Sequence, residues 1–472
     1  MRIAGHPFQV MSDAEVGRVH RGALRILDEM GMEVQNEQLL RALREAGLPV
    51  DLDAQRVRFP SRFVEAYIGD VPKVDWDAAE PRVSGSAGVF HGRYHDPETD
   101  ELVPWTEEAL AFYFALPAQL DHVSPRAGML GCRLPVPSVL EPLYERYYCW
   151  KYGAHDSGTI HLDTLCPYVL ALSEALADEI GRAVADVFNG TVYLVPPLKL
   201  GRHEAYQVAY FWERGLRVRI GDMYLMGATA PVTMAGAVTL NVAEQIALSI
   251  LRWALFGERA LHIGSGLGAI DMRTSIYPYG RPEIPITNLM TIQMARFYGV
   301  SGGGHSGNSD AKLPSTEAGA QKALSAIPTL LAGGRASIGA GLLSIDEVCS
   351  PIQMVLDNEF IGALKHLTKE FEVTEDAIGL DTILEVGPGG HFLDTDHTLR
   401  YFRTEHWQPA IWSREMMGSW LEGGSRLDVD KARTLVLDLK HDHEMRNRMS
   451  PALEENVDRI IEDARRALVR RA

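Results

Sequence analysis

The sequence is poor in the groups that build disulfide frameworks, metal centres and nucleophilic triads. Its 472 residues include four cysteines, Cys132, Cys149, Cys166 and Cys349, and no CxxC. That argues against a disulfide scaffold and points to reduced thiols. There is no HExxH metal signature, so no local signal supports a bound metal. No wholly apolar run reaches the ~18 residues that a membrane span needs. The opening MRIAGHPFQVMSDAEV carries no apolar signal core, which leads us to expect a cytoplasmic protein. Positive charge is also short: 46 Lys+Arg against 63 Asp+Glu leaves −17. Such a surface disfavours nucleic acid and anionic membrane. It suits a cationic ligand, although solubility alone accounts for it.

What is present is globular: 46% hydrophobic and 23% charged residues, ample for a sizeable core. The chain opens helically. Ser12 and Glu15 have capping-box spacing before VGRVHRGALRILDEMG, and Gly31 fits a stop. NEQLLRALREAG, ending at Gly47, reads as a second helix. From about residue 120 the texture changes. Short apolar or β-branched stretches end in small or polar residues and alternate with helix-length segments. Candidate strands lie near 122, 158, 191, 217, 260, 300, 336 and 382. Strand–helix–strand alternation means parallel βαβ units. Eight of them predict an α/β fold of the (β/α)8 TIM-barrel type. The alternative is a doubly wound open sheet, but no GxGxxG follows the first strand. The expected organisation is a mainly helical amino-terminal extension over 1–115, a catalytic barrel over 116–410, and a carboxyl-terminal helical segment over 411–472.

Active sites of such barrels lie where strands end. That rule selects His161 and Asp163; Asp222 and Tyr224; Ser265 and Gly266; His305, Asn308, Asp310 and Lys312; Ser344, Asp346 and Glu347; and His391. The glycine-rich VSGGGHSGNSDAKLPS (300–315) invites a phosphate reading. Gly302 and Gly307 have the P-loop glycine spacing, but Asn308 stands where the lysine is required, so the motif fails. Cys349 has no adjacent histidine, and a lone cysteine is more often a small buried side chain than a nucleophile. SIYPYGRPE (275–283) sets two tyrosines, an arginine and a glutamate in a Pro/Gly-punctuated loop. Aromatic faces with carboxylates recognise alkylammonium groups, and an arginine holds a carboxylate bidentately. A surface turn with tyrosines packed on the barrel explains the same spacing equally well.

The segments YLMGATAPVTMAGAVTLNVAEQIAL (224–248), DMRTSIYPYGRPE (271–283), SDAKLPSTEAGAQKAL (309–324), MVLDNEFIG (354–362) and EVGPGGHFLDTDHTLRYFR (385–403) closely resemble the trimethylamine methyltransferase family of corrinoid-dependent proteins. SDAEVGRVHRGALRILDEMGMEV at the start resembles it too. The resemblance implies a (β/α)8 barrel that moves a methyl group from a methylated amine to cobalt(I) of a corrinoid (cobalamin) carried by a separate corrinoid protein, with no metal bound directly. It also implies a homo-oligomer. Pyrrolysine, carried by members acting on trimethylamine, is absent here. Members without it are similar to glycine betaine methyltransferases, so the expected substrate is a quaternary amine such as a betaine. The alternatives are demethylation of a tertiary or secondary methylamine, or a non-catalytic betaine-binding barrel.

On that resemblance the candidate roles are as follows. Tyr277, Tyr279 and Phe392 offer aromatic faces to the cation. Asp222 or Glu283 balances its charge. Arg273 or Arg281, with His305 or His391, binds a substrate carboxylate. His305, Asp310 and Asp222 are the catalytic candidates. Asn308 shapes the pocket, and Gly303, Gly304 and Lys312 meet the corrinoid. A merely structural role competes at each position: Asp310 and Lys312 tie down a loop, and Arg281 pairs with Glu283. His391 departs from the asparagine of many relatives, so its presence in the pocket would imply a substrate other than glycine betaine.

Overall fold

The computed structural model describes residues 8–76, 82–88, 92–124, 136–153 and 157–469. The first helix, Asp13–Arg25, starts as its sequence dictates: the Glu15 carboxylate accepts from the Ser12 backbone N–H at 2.8 Å. One wider turn carries it to Gly31, whose φ of +67° favours glycine. The next helix, Glu37–Glu45, is capped by Asn36, whose side chain accepts from the Leu39 N–H at 3.0 Å. Both pack on the long helix Met234–Phe256. That helix is long and apolar enough to cross a membrane, but two thirds of its apolar window is buried inside the protein. Here it is the central core helix.

Parallel pairings join the strands into a series of short sheets. Val123–Ser124 pairs Arg82–Ala87, which pairs Arg335–Ala340. Arg335 in turn bridges Gly303, beside Ser301–Gly302. Ser301–Gly302 pairs His262–Ile263. Further along that run, Leu267–Ala269 pairs Tyr224–Met226. Val218–Gly221 pairs Gly190–Tyr193, and Thr191 bridges Thr159. All of these are parallel, with helices such as Met234–Phe256, Glu283–Tyr298 and Thr316–Leu331 between successive strands. Among the described residues no pairing joins Thr159 to Val123–Ser124, nor the Gly190–Tyr193/Val218–Gly221, Tyr224–Met226/Leu267–Ala269 and His262–Ile263/Ser301–Gly302 pairs to one another, so the strands do not close into a ring.

Seven of the eight expected strand regions contribute paired residues. The eighth is corrected: TILEVG lies in a helix, Leu380–Val386. Its place in the series belongs to Arg82–Ala87, in the stretch expected to be extension. The physical reason is spacing. Leu380, Ile383 and Leu384 repeat at i, i+3 and i+4, which is helical. RVSGSA carries little apolar signal because helix Pro351–Leu367 crosses it closely; a Cβ at Gly85 would lie 2.3 Å from Ile361 Cδ1.

Beneath the strands one buried pair locks the body. Lys322 and Asp357 are both fully buried, Nζ to Oδ2 at 2.6 Å. Lys322 also donates to the Gly339 carbonyl at 2.9 Å, and Asp357 accepts from the Gly341 N–H at 2.8 Å and from Gln353 at 2.9 Å. Helix Thr316–Leu331 is thereby tied to strand Arg335–Ala340 and helix Pro351–Leu367.

Candidate active site

The loop after Leu267–Ala269 turns back over its own strand. Tyr277 lies flat on Gly268, where a Cβ would sit 1.5 Å from the ring, so glycine is what admits the tyrosine. The Tyr277 hydroxyl donates to the Gly266 carbonyl at 3.4 Å. Tyr279 stands perpendicular to Tyr277, with centroids 5.0 Å apart at 85°. His305, just beyond Ser301–Gly302, meets Tyr279 edge-on at 4.7 Å and Tyr277 at 6.3 Å.

Asp310 fixes this corner. Its two carboxylate oxygens accept the backbone N–H groups of Tyr279, at 2.6 Å, and Gly280, at 2.8 Å. Asn308 Nδ2 lies 2.6 Å from His305 Nε2. Burial pushes the His305 imidazole down to about 4, so it is neutral near pH 7, with Nε2 free to accept from Asn308.

The fourth wall comes from the turn after Arg335–Ala340. Ser344, Ile345 and Asp346 take φ of +52°, +58° and +67° in succession. None is glycine and Ile345 is β-branched, so the turn is strained, on the order of 1–3 kcal/mol per residue. Three bonds hold it: Lys312 Nζ donates to Ser344 Oγ at 2.9 Å, Ser344 N–H to the Ala311 carbonyl at 2.9 Å, and Ile345 N–H to the Ser309 carbonyl at 3.2 Å. The result aims Asp346 at the tyrosines. The Tyr279 hydroxyl donates to Asp346 Oδ2 at 2.8 Å. Burial pushes the Asp346 carboxyl up to about 6, against the Tyr279 hydrogen bond and the Lys322 charge, which lower it. Burial, then the Asp346 charge, push both tyrosine hydroxyls well above their usual range.

Beside this corner opens a cavity of about 540 Å³, walled by Met226, Met234, Met272 and Val232, with Arg281 and Glu283 at its edge. Arg281 pairs with Glu283 at 2.9 Å and donates to the Ile270 carbonyl at 3.4 Å. The pair holds the glutamate below the usual carboxylate range.

The structure therefore brings together Tyr277, Tyr279, His305, Asn308 and Asp310, with Arg281 and Glu283 adjoining. It sets the others elsewhere. Asp222 accepts from the Tyr224 hydroxyl at 2.7 Å and from Gln245, and burial raises its carboxyl. Arg273 lies exposed in the turn that Asp271 caps. Lys312 serves Ser344. Where side chains at Gly303 and Gly304 would point, Arg335 and Asn288 already stand. His391 and Phe392 are exposed, and His391 Nδ1 pairs with Asp394 at 3.3 Å. Of the other strand-end residues, Asp163 pairs with His203 at 3.0 Å. Among the described residues, no group of three or more His, Cys, Asp or Glu is placed to hold a metal ion. The strand-end rule marked Asp346 but assigned it no role; nothing in SIDE announces three consecutive positive φ angles.

A sequence profile described as Trimethylamine methyltransferase (MTTB) matches residues 2–84 and 174–468. The chain is 25% identical over 437 residues to the trimethylamine methyltransferase MttB of Desulfitobacterium hafniense (strain DSM 10664 / DCB-2), covering 90% of this chain and 88% of that one. It is also 25% identical over 431 residues to the glycine betaine methyltransferase of Desulfitobacterium hafniense (strain Y51), with 88% of each covered. Among solved structures, the monomethylamine methyltransferase MtmB of Methanosarcina barkeri aligns over 93% of this chain and 96% of that one, at 15% identity and a TM-score of 0.41. With most of its length matched by the profile, the chain belongs to the trimethylamine methyltransferase family, enzymes that transfer methyl groups.

Proposed function

We propose that this methyltransferase removes a methyl group from a quaternary amine of the betaine class, at the corner formed by Tyr277, Tyr279, His305 and Asp346. The observation that carries the reading is the carboxylate of Asp346 set among perpendicular aromatic rings. A permanent cation is attracted by the ring faces, and a buried carboxylate gains from a cation what it lost in hydration. Neutral His305 adds no competing positive charge. Arg281, an exchangeable partner of Glu283, is the nearest candidate for a substrate carboxylate. We also take the parallel strand series to close as a (β/α)8 barrel, which sets this corner at the strand ends.

The chemistry asks little of the protein. A quaternary ammonium departs as a neutral tertiary amine, so no proton has to be supplied. A corrinoid on a partner protein, when bound, supplies the cobalt(I) nucleophile. This chain's residues hold the cation, aim one methyl outward and exclude water. Gly303 and Gly304 offer no cradle to such a partner, since their open sides are filled. The exposed apolar side chains of Val232, Met272 and Ile276 fit it better.

The test is methyl transfer to reduced corrinoid from glycine betaine, other betaines and trimethylamine, with calorimetric binding of each amine in parallel. Transfer from a betaine supports the proposal, and transfer from trimethylamine alone replaces it with the tertiary-amine reading. Neither binding nor transfer with any quaternary amine refutes it.

A further inference from the structure

The paired strands Arg82–Ala87 and Arg335–Ala340 have two unlike faces. One meets the helices: Gly85 lies under Ile361 of helix Pro351–Leu367, and its register partner Ile338 is fully buried. Ala336 and Ala340 share that face and are buried too. The alternate residues therefore point away from the helices. They are Arg82, Ser84 and Ser86 on one strand, in register with Arg335, Ser337 and Gly339 on the other. In a (β/α)8 arrangement that face is filled by branched apolar side chains. Here it holds arginine, serine and glycine, and Arg82, Ser84, Arg335 and Ser337 are all exposed.

The first register pair is the anomaly. Arg82 stands directly beside Arg335, and like charges at paired strand positions repel. Among the described residues neither guanidinium has an ion-pair or hydrogen-bond partner, although the chain carries 63 acidic residues. The hydroxyls of the next pair, Ser84 and Ser337, have no protein partner there either.

Further positive charge converges from the neighbouring elements. Arg335 bridges Gly303, where a Cβ would lie 3.6 Å from the Arg335 Cβ, so glycine leaves the arginine its room. Ser301, two residues back, places its Oγ 2.9 Å from Nδ1 of its register partner His262. Burial, then the charges of Arg335 and Arg252, hold this imidazole below its usual range. Arg252, on helix Met234–Phe256, uses Nη2 to donate to the Ala260 carbonyl at 3.0 Å. Among the described residues no carboxylate pairs with Arg82, Arg335 or Arg252.

We propose that Arg82 and Arg335, with Ser84 and Ser337 next to them, form a binding site for a small oxyanion, phosphate or carboxylate, at the strand starts. A guanidinium grips either group bidentately, and the serine hydroxyls donate to the oxygens left over. The bound anion turns the repulsion between two neighbouring strands into a tie. This is the far end of the molecule's strands from the tyrosine corner: Arg335–Ala340 alone rises about 16 Å, and Asp346 lies beyond its other end. The site stands whether or not the corner takes a betaine.

The test is calorimetry on the full chain, dialysed free of phosphate and sulfate, then titrated with sodium phosphate, sodium sulfate or sodium acetate. The expected result is one oxyanion per chain, with a thermal midpoint that rises as it binds. Binding of phosphate and sulfate alone identifies a tetrahedral ligand, and binding of acetate a carboxylate; either supports the site. Arg82→Gln and Arg335→Gln should each weaken binding by about ten- to a hundredfold, the reach of one hydrogen-bonding charge. Arg18→Gln, at an exposed arginine beside Glu15, should leave it unchanged. In anion-free buffer the two site variants should melt no lower than the unmodified protein, because each removes a repulsion. Arginines that merely brace the fold would lower that midpoint, which overturns the proposal. Should the variants misfold, phenylglyoxal modification of the unmodified protein gives a second readout: phosphate should protect Arg82 and Arg335 but not Arg18. No oxyanion bound by the unmodified protein also overturns the proposal, as does binding that survives both substitutions or protection absent at both arginines.

Discussion

The corner around Asp346 and the carboxyl-terminal arm of residues 369–431, around Leu384, solve opposite problems. In the corner, every polar group that shapes the site is matched inside the chain: Asp310 to two backbone N–H groups, Asn308 to His305, Lys312 to Ser344, Tyr279 to Asp346. What remains unsatisfied there is charge, since Asp346 is a carboxylate pressed toward its neutral form by burial. In the arm Arg400 is matched to Asp376, and Leu380, Ile383 and Leu384 remain as exposed apolar surface. A leftover charge asks for a small ion, and leftover apolar surface does not. In the body between them Lys322 and Asp357 neutralise each other.

The sharpest break of this comparison is therefore in the body. Lys322→Met leaves Asp357 charged and unpaired in the core, and should destabilise by about 3–5 kcal/mol, measured by denaturant unfolding. A substitution on the arm, such as Leu384→Ala, should leave the unfolding of an isolated chain nearly unchanged. An equal loss from both would show that the arm is core after all.

Asp346→Asn should separate binding from stability. Asparagine tolerates a left-handed backbone, so the turn survives while the charge goes. Affinity for a permanent cation should fall by about ten- to a hundredfold, the reach of one or two pKa-unit equivalents of lost interaction, read by calorimetry. The pH dependence follows with opposite signs. The carboxyl is held at about 6, above its unfolded value, so the free protein binds the proton more tightly than the unfolded chain does. Stability from that proton is full at low pH and is lost as pH rises through 6. Cation affinity runs the other way, falling as pH drops through 6, and Asp346→Asn should abolish both trends.

Less should follow from Tyr279→Phe. It keeps the ring that faces His305 and removes only the bond to Asp346. A loss of about two- to tenfold in cation affinity matches one hydrogen bond, and the Asp346 carboxyl should titrate still higher without that donor.

How far these regions could be read in advance follows the same division. The strand-end loops were legible because the βα rhythm is written in apolar runs and glycines, and because SIYPYGRPE and GGGHSGNSD stand out by composition. Tyr277, Tyr279, His305, Asn308 and Asp310 converge because consecutive parallel strands end side by side. Arg82–Ala87 was illegible, since a strand crossed closely by a helix needs small residues and loses its apolar alternation. TILEVG suggested a strand by its β-branched residues, while its i, i+3, i+4 leucine and isoleucine spacing belonged to a helix. Asp346 was hidden for a different reason: three tertiary hydrogen bonds hold its turn, and of Ser344–Asp346 only the aspartate itself takes that backbone readily.

The smallest expected effect tests where the two regions are independent. His391 lies in the motif-bearing GPGGHF segment, yet it is exposed and its partner is Asp394, three residues along. Within one chain nothing connects it to Tyr277 or Asp346. His391→Ala should thus change cation affinity by less than about twofold, as exposed substitutions do, measured by calorimetry. If it weakens binding by more than that, the separation of corner and arm is false.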